Sequence, residues 1–203
     1  MTRPLGVILA GGLSSRMGGG DKSLLPLGSQ TVLGHVVARI APQTSGLAIN
    51  ANGDAARFSE HDLPVLPDSI DGFVGPLAGV LAGLDWAAEK GADHIVTVAA
   101  DTPFFPLNLV SELERKAQDT GASIVLAATQ EGARMYRHPT FGLWSVALRN
   151  DLRSALLDGL RKVVLWTDQH GGQEVIFSHE NADPFFNINT PDDLLLARQR
   201  IEA

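Results

Sequence analysis

Short apolar runs alternate with stretches of helical periodicity as far as Thr129. That alternation constrains the fold more than any other feature of the chain. Gly6–Ala10 (GVILA) reads as a buried strand running into Gly-Gly. In residues 31–41, Val32, His35, Val36, Arg39 and Ile40 recur at helical spacing, with Thr31 as candidate N-cap and Pro42 as the stop. GLAINAN and LPVLPD supply two further short strands. In GPLAGVLAGLDWAAEKG, Leu77, Val80, Leu81, Leu84 and Ala88 form one helical face between Pro76 at the start and Gly91 at the end. DHIVTVAAD is apolar on both alternations, as a strand covered on both faces should be. LNLVSELERKAQDTG continues as helix and ASIVLAAT as strand.

This order predicts an α/β fold: a single-domain, doubly wound, mainly parallel sheet of Rossmann-like type, with a less regular C-terminal part. HPTFGLWSV reads as a strand, and residues 148–166 as helix broken near Gly159. QEVIF and FFNIN read as short strands, and TPDDLLLARQRIEA as a closing helix with Thr190 as N-cap and Pro191 in its first turn. One domain over 1–203 is expected, with a ligand-binding part over about 1–129 and a second part over about 130–203.

The chain has 203 residues, 44% of them hydrophobic and 19% charged, which suits a packed globular core. Its formal net charge is -7 and no Lys/Arg run occurs, so nucleic acid is not an expected partner. Cysteine is absent, which excludes disulfides, thiolate catalysis and zinc–thiolate sites. No apolar run approaches the ~20 residues that span a bilayer. A cytoplasmic location and no membrane association are expected.

The first strand leads into LAGGLSSRMGGGDKS, residues 9–23. Ligands of open α/β sheets sit beyond the carboxyl ends of the strands. Glycines let backbone N–H groups approach an anion, and Arg16 and Lys22 add positive charge. The loop is not a P-loop, because Asp21 stands where that motif needs glycine, and G-x-G-x-x-G is absent. Asp21 has no role legible in the sequence.

LAGGLSSRMGGGDKSLLPLG resembles the L-A-G-G-x-x-x-R-M-G-…-K signature of nucleotidyltransferases, which transfer NMP from an NTP to a phosphate acceptor. The resemblance implies that Arg16 and Lys22, with the backbone of Gly11, Gly12, Gly18 and Gly19, hold the triphosphate. It places Leu9 and Ala10 beside the nucleoside. Asn50, in NANGD, resembles the family asparagine near the base; taken alone it reads as a turn residue. LPDSIDGFVGPLAG resembles the D-x-x-x-x-x-x-G-P-L-A-G block, which puts Asp68 by the base or ribose and Gly75 where backbone comes close. Asp101 in VAADTPFF matches the family's metal-binding aspartate, whereas an isolated strand-end Asp reads more often as a helix cap, here before LNLVSELERK. Mg²⁺, a hard cation favouring oxygen ligands, is the expected cofactor.

RMYRHPTFGLW and FFNINTPDD narrow the resemblance to the molybdenum cofactor guanylyltransferases. It implies that Arg137, His138, Asn187 and Asn189 face the acceptor. His138 reads by itself as a loop histidine, and Asn187 and Asn189 as alternating positions of an edge strand. In several sugar-nucleotide relatives a second carboxylate near this point helps hold metal; asparagines stand there in this chain. His35, His61, His94, His170 and His179 form no spaced metal motif, and Trp86, Trp144 and Trp166 read as packing residues.

The implied reaction is transfer of GMP from GTP to the terminal phosphate of molybdenum-molybdopterin, with release of pyrophosphate. Arg16, Lys22 and Asp101 would be its catalytic residues. Cofactor-insertion proteins and apo-molybdoenzymes are the implied protein partners. A cytidylyltransferase of the same cofactor, a sugar-1-phosphate nucleotidyltransferase and a non-catalytic carrier of the cofactor are the alternatives.

Overall fold

The structure, a computed structural model, describes residues 3–11, 21–70, 72, 75–178 and 182–202. Of the expected site residues, Gly12, Arg16, Gly18 and Gly19 lie outside the described residues, as does His179.

The first strand, β1 (Leu5–Leu9), is buried at every residue. It pairs in parallel with β4 (Leu47–Asn50) on one side and β6 (His94–Ala99) on the other. β5 (Val65–Leu66) extends the sheet beyond β4. On the other flank β8 (Arg134–Ser145) runs antiparallel to β6 and to β7 (Ile124–Glu131), and β9 (Gln173–Ile176) closes the sheet parallel to β7. The order is β5-β4-β1-β6-β8-β7-β9, so one seven-stranded, mainly parallel sheet crosses both halves of the sequence. The chain moves outward from β1 to β4 and β5, then returns to β6 on the opposite side. That reversal makes the carboxyl end of β1 the switch point of the sheet.

Side-chain alternation divides the core into two layers. Ile8 of β1 and Val96 and Val98 of β6 face α1 (Val32–Ile40) and α3 (Leu109–Thr120). Val7, Leu9 and Ile95 face α2 (Pro76–Glu89), α4 (Arg149–Leu157) and α5 (Val163–Gln169). Burial of the large aliphatic and aromatic side chains in these layers, each contributing about 1.5–3 kcal/mol, is the main favourable term in folding. Trp144 and Trp166 are buried in the second layer, and Trp144 satisfies its indole N–H with Thr97 Oγ1 at 2.9 Å. A third cluster joins Leu27, Val32, Ile188, Leu194 and Ala197. It docks α6 (Pro191–Glu202) against the small hairpin of β2 (Pro26–Leu27) and β3 (Gln30–Thr31).

The local signals explain most boundaries. Thr31 Oγ1 accepts from Gly34 N at 3.0 Å and so caps α1. Gly91 takes a φ of 69° just past α2. Thr190 Oγ1 accepts from Asp193 N at 3.2 Å, while Asp193 Oδ2 accepts from Thr190 N at 2.9 Å, a reciprocal box that starts α6. Gly159 (φ 93°) separates α4 from α5, as the sequence predicts.

One predicted strand is absent. Residues 185–189 (FFNIN) form no ladder. Beside the end of β6 both edges are already taken, by β1 and β8, so this segment has no strand to pair with. It crosses the strand ends instead, where Ile188 N donates to Asp101 O at 2.9 Å. β8 also begins earlier than HPTFGLWSV implied. It pairs from Arg134 with Glu131 of β7 around a tight turn in which Gly132 has a φ of 57°. Among the described residues, no helix is long and apolar enough to cross a membrane.

Candidate active site

The sheet register brings three chain segments level at its carboxyl edge. Leu9 stands opposite Asn50 of β4 and opposite Ala99 of β6. Just beyond, Ala10 N donates to Asn50 O at 2.9 Å, and Ala100 N donates to Leu9 O at 3.1 Å. Gly11 follows, and Asp101 lies two residues past the end of β6.

Asp101 is the centre of a polar group. Its Oδ2 is 2.6 Å from Lys22 Nζ, and both side chains are largely sheltered. Lys22 Nζ also donates to Asn189 Oδ1 at 2.6 Å. Thr102, fully buried, donates from Oγ1 to Asp101 Oδ1 at 3.0 Å and also contacts the Asn187 side-chain amide. The hydroxyl has one proton, so both contacts are satisfied at once when the Asn187 amide turns its NH2 toward Thr102. Asp101 does not cap α3. That helix begins at Leu109, after Asn108.

A second group forms beside the first. Asn50 Nδ2 donates to Asp68 Oδ1 at 2.9 Å and to Leu66 O at 3.1 Å. Asn52 Nδ2 donates to Asp68 Oδ2 at 2.8 Å, and Asp68 N donates back to Asn52 Oδ1 at 2.9 Å. Asn50 is therefore a buried side chain whose Nδ2 is engaged by Asp68 and the Leu66 carbonyl, rather than a solvated turn residue. Gly75 takes a φ of 148° at the entrance to α2. One turn on, a Cβ at Gly79 would fall 2.2 Å from Asn50 Oδ1, so only glycine lets α2 lie this close to the end of β4.

Asp21 also acquires a role. Its Oδ1 accepts from Ser23 N at 3.1 Å and Ser23 Oγ at 2.6 Å, which caps the short 3₁₀ turn Lys22–Leu24. Where a P-loop has glycine, this chain has the residue that fixes the turn carrying its lysine.

The remaining expected residues divide. His138 Nε2 lies 2.9 Å from Thr129 Oγ1, and its ring stacks on Phe185, two residues before Asn187. Burial pushes the His138 imidazole down from its ordinary value, and the nearby Asp183 carboxylate opposes that shift. Arg137 is not brought to the group. As the preceding residue of β8 it projects from the opposite face of the strand, where it pairs with Asp168 at 2.8 Å and Glu174 at 2.6 Å. Sequence reasoning missed Thr102, Asn52 and Arg57. Thr102 sits inside the D-T-P motif, but a neutral hydroxyl gave no signal there. Asn52 lies within NANGD, where only Asn50 matches the family asparagine, and Arg57 belongs to no motif.

The oxygen donors grouped at Asp101 are its own carboxylate, the Thr102 hydroxyl and the Asn189 amide oxygen. Among the described residues no cluster of three or more His, Cys, Asp or Glu side chains could hold a metal alone. A single carboxylate among oxygen donors fits an ion that takes its other ligands from substrate phosphates and water.

A family model, the MobA-like NTP transferase domain, matches residues 6–173. The chain belongs to the MobA-like NTP transferase family. It is accordingly a nucleotidyltransferase, from a family that normally works with a divalent metal. The molybdenum cofactor guanylyltransferase of Mesorhizobium japonicum is 49% identical over 203 residues, covering 98% of this chain and 96% of the relative. That of Rhodopseudomonas palustris is 50% identical over 194 residues, covering 94% and 89%. The crystal structure of molybdopterin-guanine dinucleotide biosynthesis protein A from Archaeoglobus fulgidus superimposes with a TM-score of 0.76 at 22% identity, covering 98% of both chains. That structure supports the fold of this MobA-like transferase.

Proposed function

We propose that this nucleotidyltransferase transfers GMP from GTP to the terminal phosphate of molybdenum-molybdopterin, forming the guanine dinucleotide cofactor and releasing pyrophosphate. The supporting observation is the meeting of Lys22, Asp101 and Asn189 at the switch point of the sheet. It occurs in a chain about half identical, over nearly its whole length, to molybdenum cofactor guanylyltransferases.

An oxygen of the acceptor phosphate attacks the α-phosphorus of GTP, and the bond from that phosphorus to the β-phosphate oxygen breaks. The acceptor is already an anion at neutral pH, so positioning and charge neutralisation are the main demands. Lys22 exchanges part of its contact with Asp101 for the triphosphate, together with Arg16 and the backbone of Gly11, Gly12, Gly18 and Gly19. Asp101 would hold Mg²⁺, which when bound neutralises charge on the triphosphate and the departing pyrophosphate. Leu9, Ala10, Asn50, Asp68 and Gly75 form the nucleoside side. Asn187, Asn189 and His138 form the acceptor side. The proposal places the reaction in the cytoplasm.

Pyrophosphate release measured with GTP, CTP, ATP and UTP, each with and without the molybdenum cofactor, tests this reading. Cofactor-dependent release with GTP is expected. Cofactor-dependent release with CTP alone would overturn it.

A further inference from the structure

Arg57 makes contacts that the proposed chemistry does not itself use. It lies in the 3₁₀ turn Ala55–His61, which Asp54 caps by accepting from Ala56 N at 2.9 Å and which the buried Phe58 anchors in the core. Its guanidinium carbon sits 4.5 Å from the Phe58 ring centroid. Each nitrogen of the fork has a partner. Nε is 3.3 Å from Asp21 Oδ2, Nη1 donates to Asp54 O at 2.8 Å, and Nη2 donates to Asn52 O at 2.9 Å. Gly53, with a φ of 83°, lets the loop wrap the fork, and a Cβ there would lie 3.4 Å from Nη1.

These partners belong to different ends of the site. Asp21 caps the turn that presents Lys22. Asn52 holds the backbone and side chain of Asp68, which in turn holds Asn50. Hydrogen bonds therefore run without a gap from the Lys22 turn through Asp21, Arg57, Asn52 and Asp68 to Asn50. A planar fork can hold three such acceptors in fixed directions; the compact ammonium of lysine cannot.

We propose that Arg57 is a positioning residue that fixes the spacing between the triphosphate end and the nucleoside end of the site. The inference builds on the proposed function, which names those two ends. In that arrangement a nucleoside triphosphate meets both ends already at its own length, and the binding contributed by one end adds to that of the other.

Two measurements on Arg57→Ala and Arg57→Lys test it. Amide exchange without nucleotide reads the brace directly. Both variants should speed exchange at Ser23 and at Asp68, whose N–H groups lie on opposite sides of Arg57, while the amides of β1 and β6 keep wild-type protection. Loosening on one side alone, or on neither, would overturn the proposal. Calorimetry with GTP, GMP and inorganic tripolyphosphate then reads the consequence. Affinity for GTP should fall tenfold or more, with GMP and tripolyphosphate each within twofold of wild type. Equal loss for all three ligands, or full recovery by Arg57→Lys, would also overturn it. Preference of the wild-type protein for another nucleoside triphosphate would count against the proposed function alone, and the comparison would then be made with that nucleotide and its monophosphate.

Discussion

The Lys22 ammonium donates to the Asn189 side-chain oxygen at 2.6 Å, a contact that spans 167 positions of sequence. Because the same ammonium pairs with Asp101, it joins a turn near the start of the chain, the end of the central strand pair and the segment that leads into α6.

Replacing either partner separates catalysis from folding. The Asn189 side chain takes no part in the box that starts α6, since Asp193 Oδ2 accepts from the backbone N of Asn189 and Thr190. Asn189→Ala should therefore leave the melting temperature nearly unchanged while turnover falls by up to about 100-fold, the scale of a displaced reacting group. Lys22→Ala should be more severe, by roughly 10²–10³-fold, again in a folded protein. Steady-state pyrophosphate release and circular dichroism melts on both variants measure this, and near-normal turnover of Lys22→Ala would sink the phosphate assignment.

Asp101→Asn keeps an oxygen for Thr102 but removes the charge that would hold a divalent ion. Turnover should drop by roughly 10²–10³-fold, and the remainder should no longer saturate with added Mg²⁺. A metal titration of the rate distinguishes the outcomes; an unchanged Mg²⁺ dependence would contradict the assigned ligand.

Gly79 offers a test of close packing beside the nucleoside group. The added methyl of Gly79→Ala would meet Asn50 Oδ1 at 2.2 Å and Leu9 Cδ2 at 2.8 Å. Relief requires α2 to retreat or Asn50 to release Asp68. Overpacking of this kind costs about 1–3 kcal/mol. Urea unfolding should show that loss, and affinity for GTP should fall with it.

Stability should also depend on the charge of His138. Burial holds its folded-state pKa below the ordinary histidine value of 6.5, with the Asp183 carboxylate opposing the shift. The unfolded chain therefore binds the proton more readily, so the stabilisation is complete above pH 6.5 and declines as pH falls toward the folded value. Asp193, held below the ordinary carboxylate range by the Asn189 and Thr190 amides and the Thr190 hydroxyl, acts in a separate window below pH 3.8. Urea midpoints between pH 7 and pH 5 should fall for wild type and fall less for His138→Gln, with both rates of fall read from the same buffers.

The fold was legible because its signals are local. Thr31 and Pro42 bracket α1, Gly159 breaks the helical stretch after β8, and Ile8 alternates with Val7 and Leu9 within a single strand. FFNIN misled because alternation specifies a strand only where a neighbouring edge is open, and the sheet had none beside β6. Arg134–Tyr136 fell outside the predicted strand because their exposed side chains carry no apolar pattern, although their backbone pairs with β7. In the site, glycines, the lysine and the strand-end aspartate announce themselves by type. Thr102 and Arg57 matter through partners distant in sequence, and Arg137 and His138 are adjacent letters sent to opposite faces of one strand.

The docking of α6 on the β2–β3 hairpin has a consequence for biosynthesis. A nascent chain makes the Lys22 turn early, while Asn187 and Asn189 are still to be translated. In the folded chain their polar contacts with Lys22 and Thr102 lie beside the cluster in which Ile188, Leu194 and Ala197 pack against Leu27 and Val32. A chain cut short before α6 would thus carry Lys22, Asp101 and Asn189 but lack Leu194 and Ala197, the α6 side chains that pack on Leu27 and Val32.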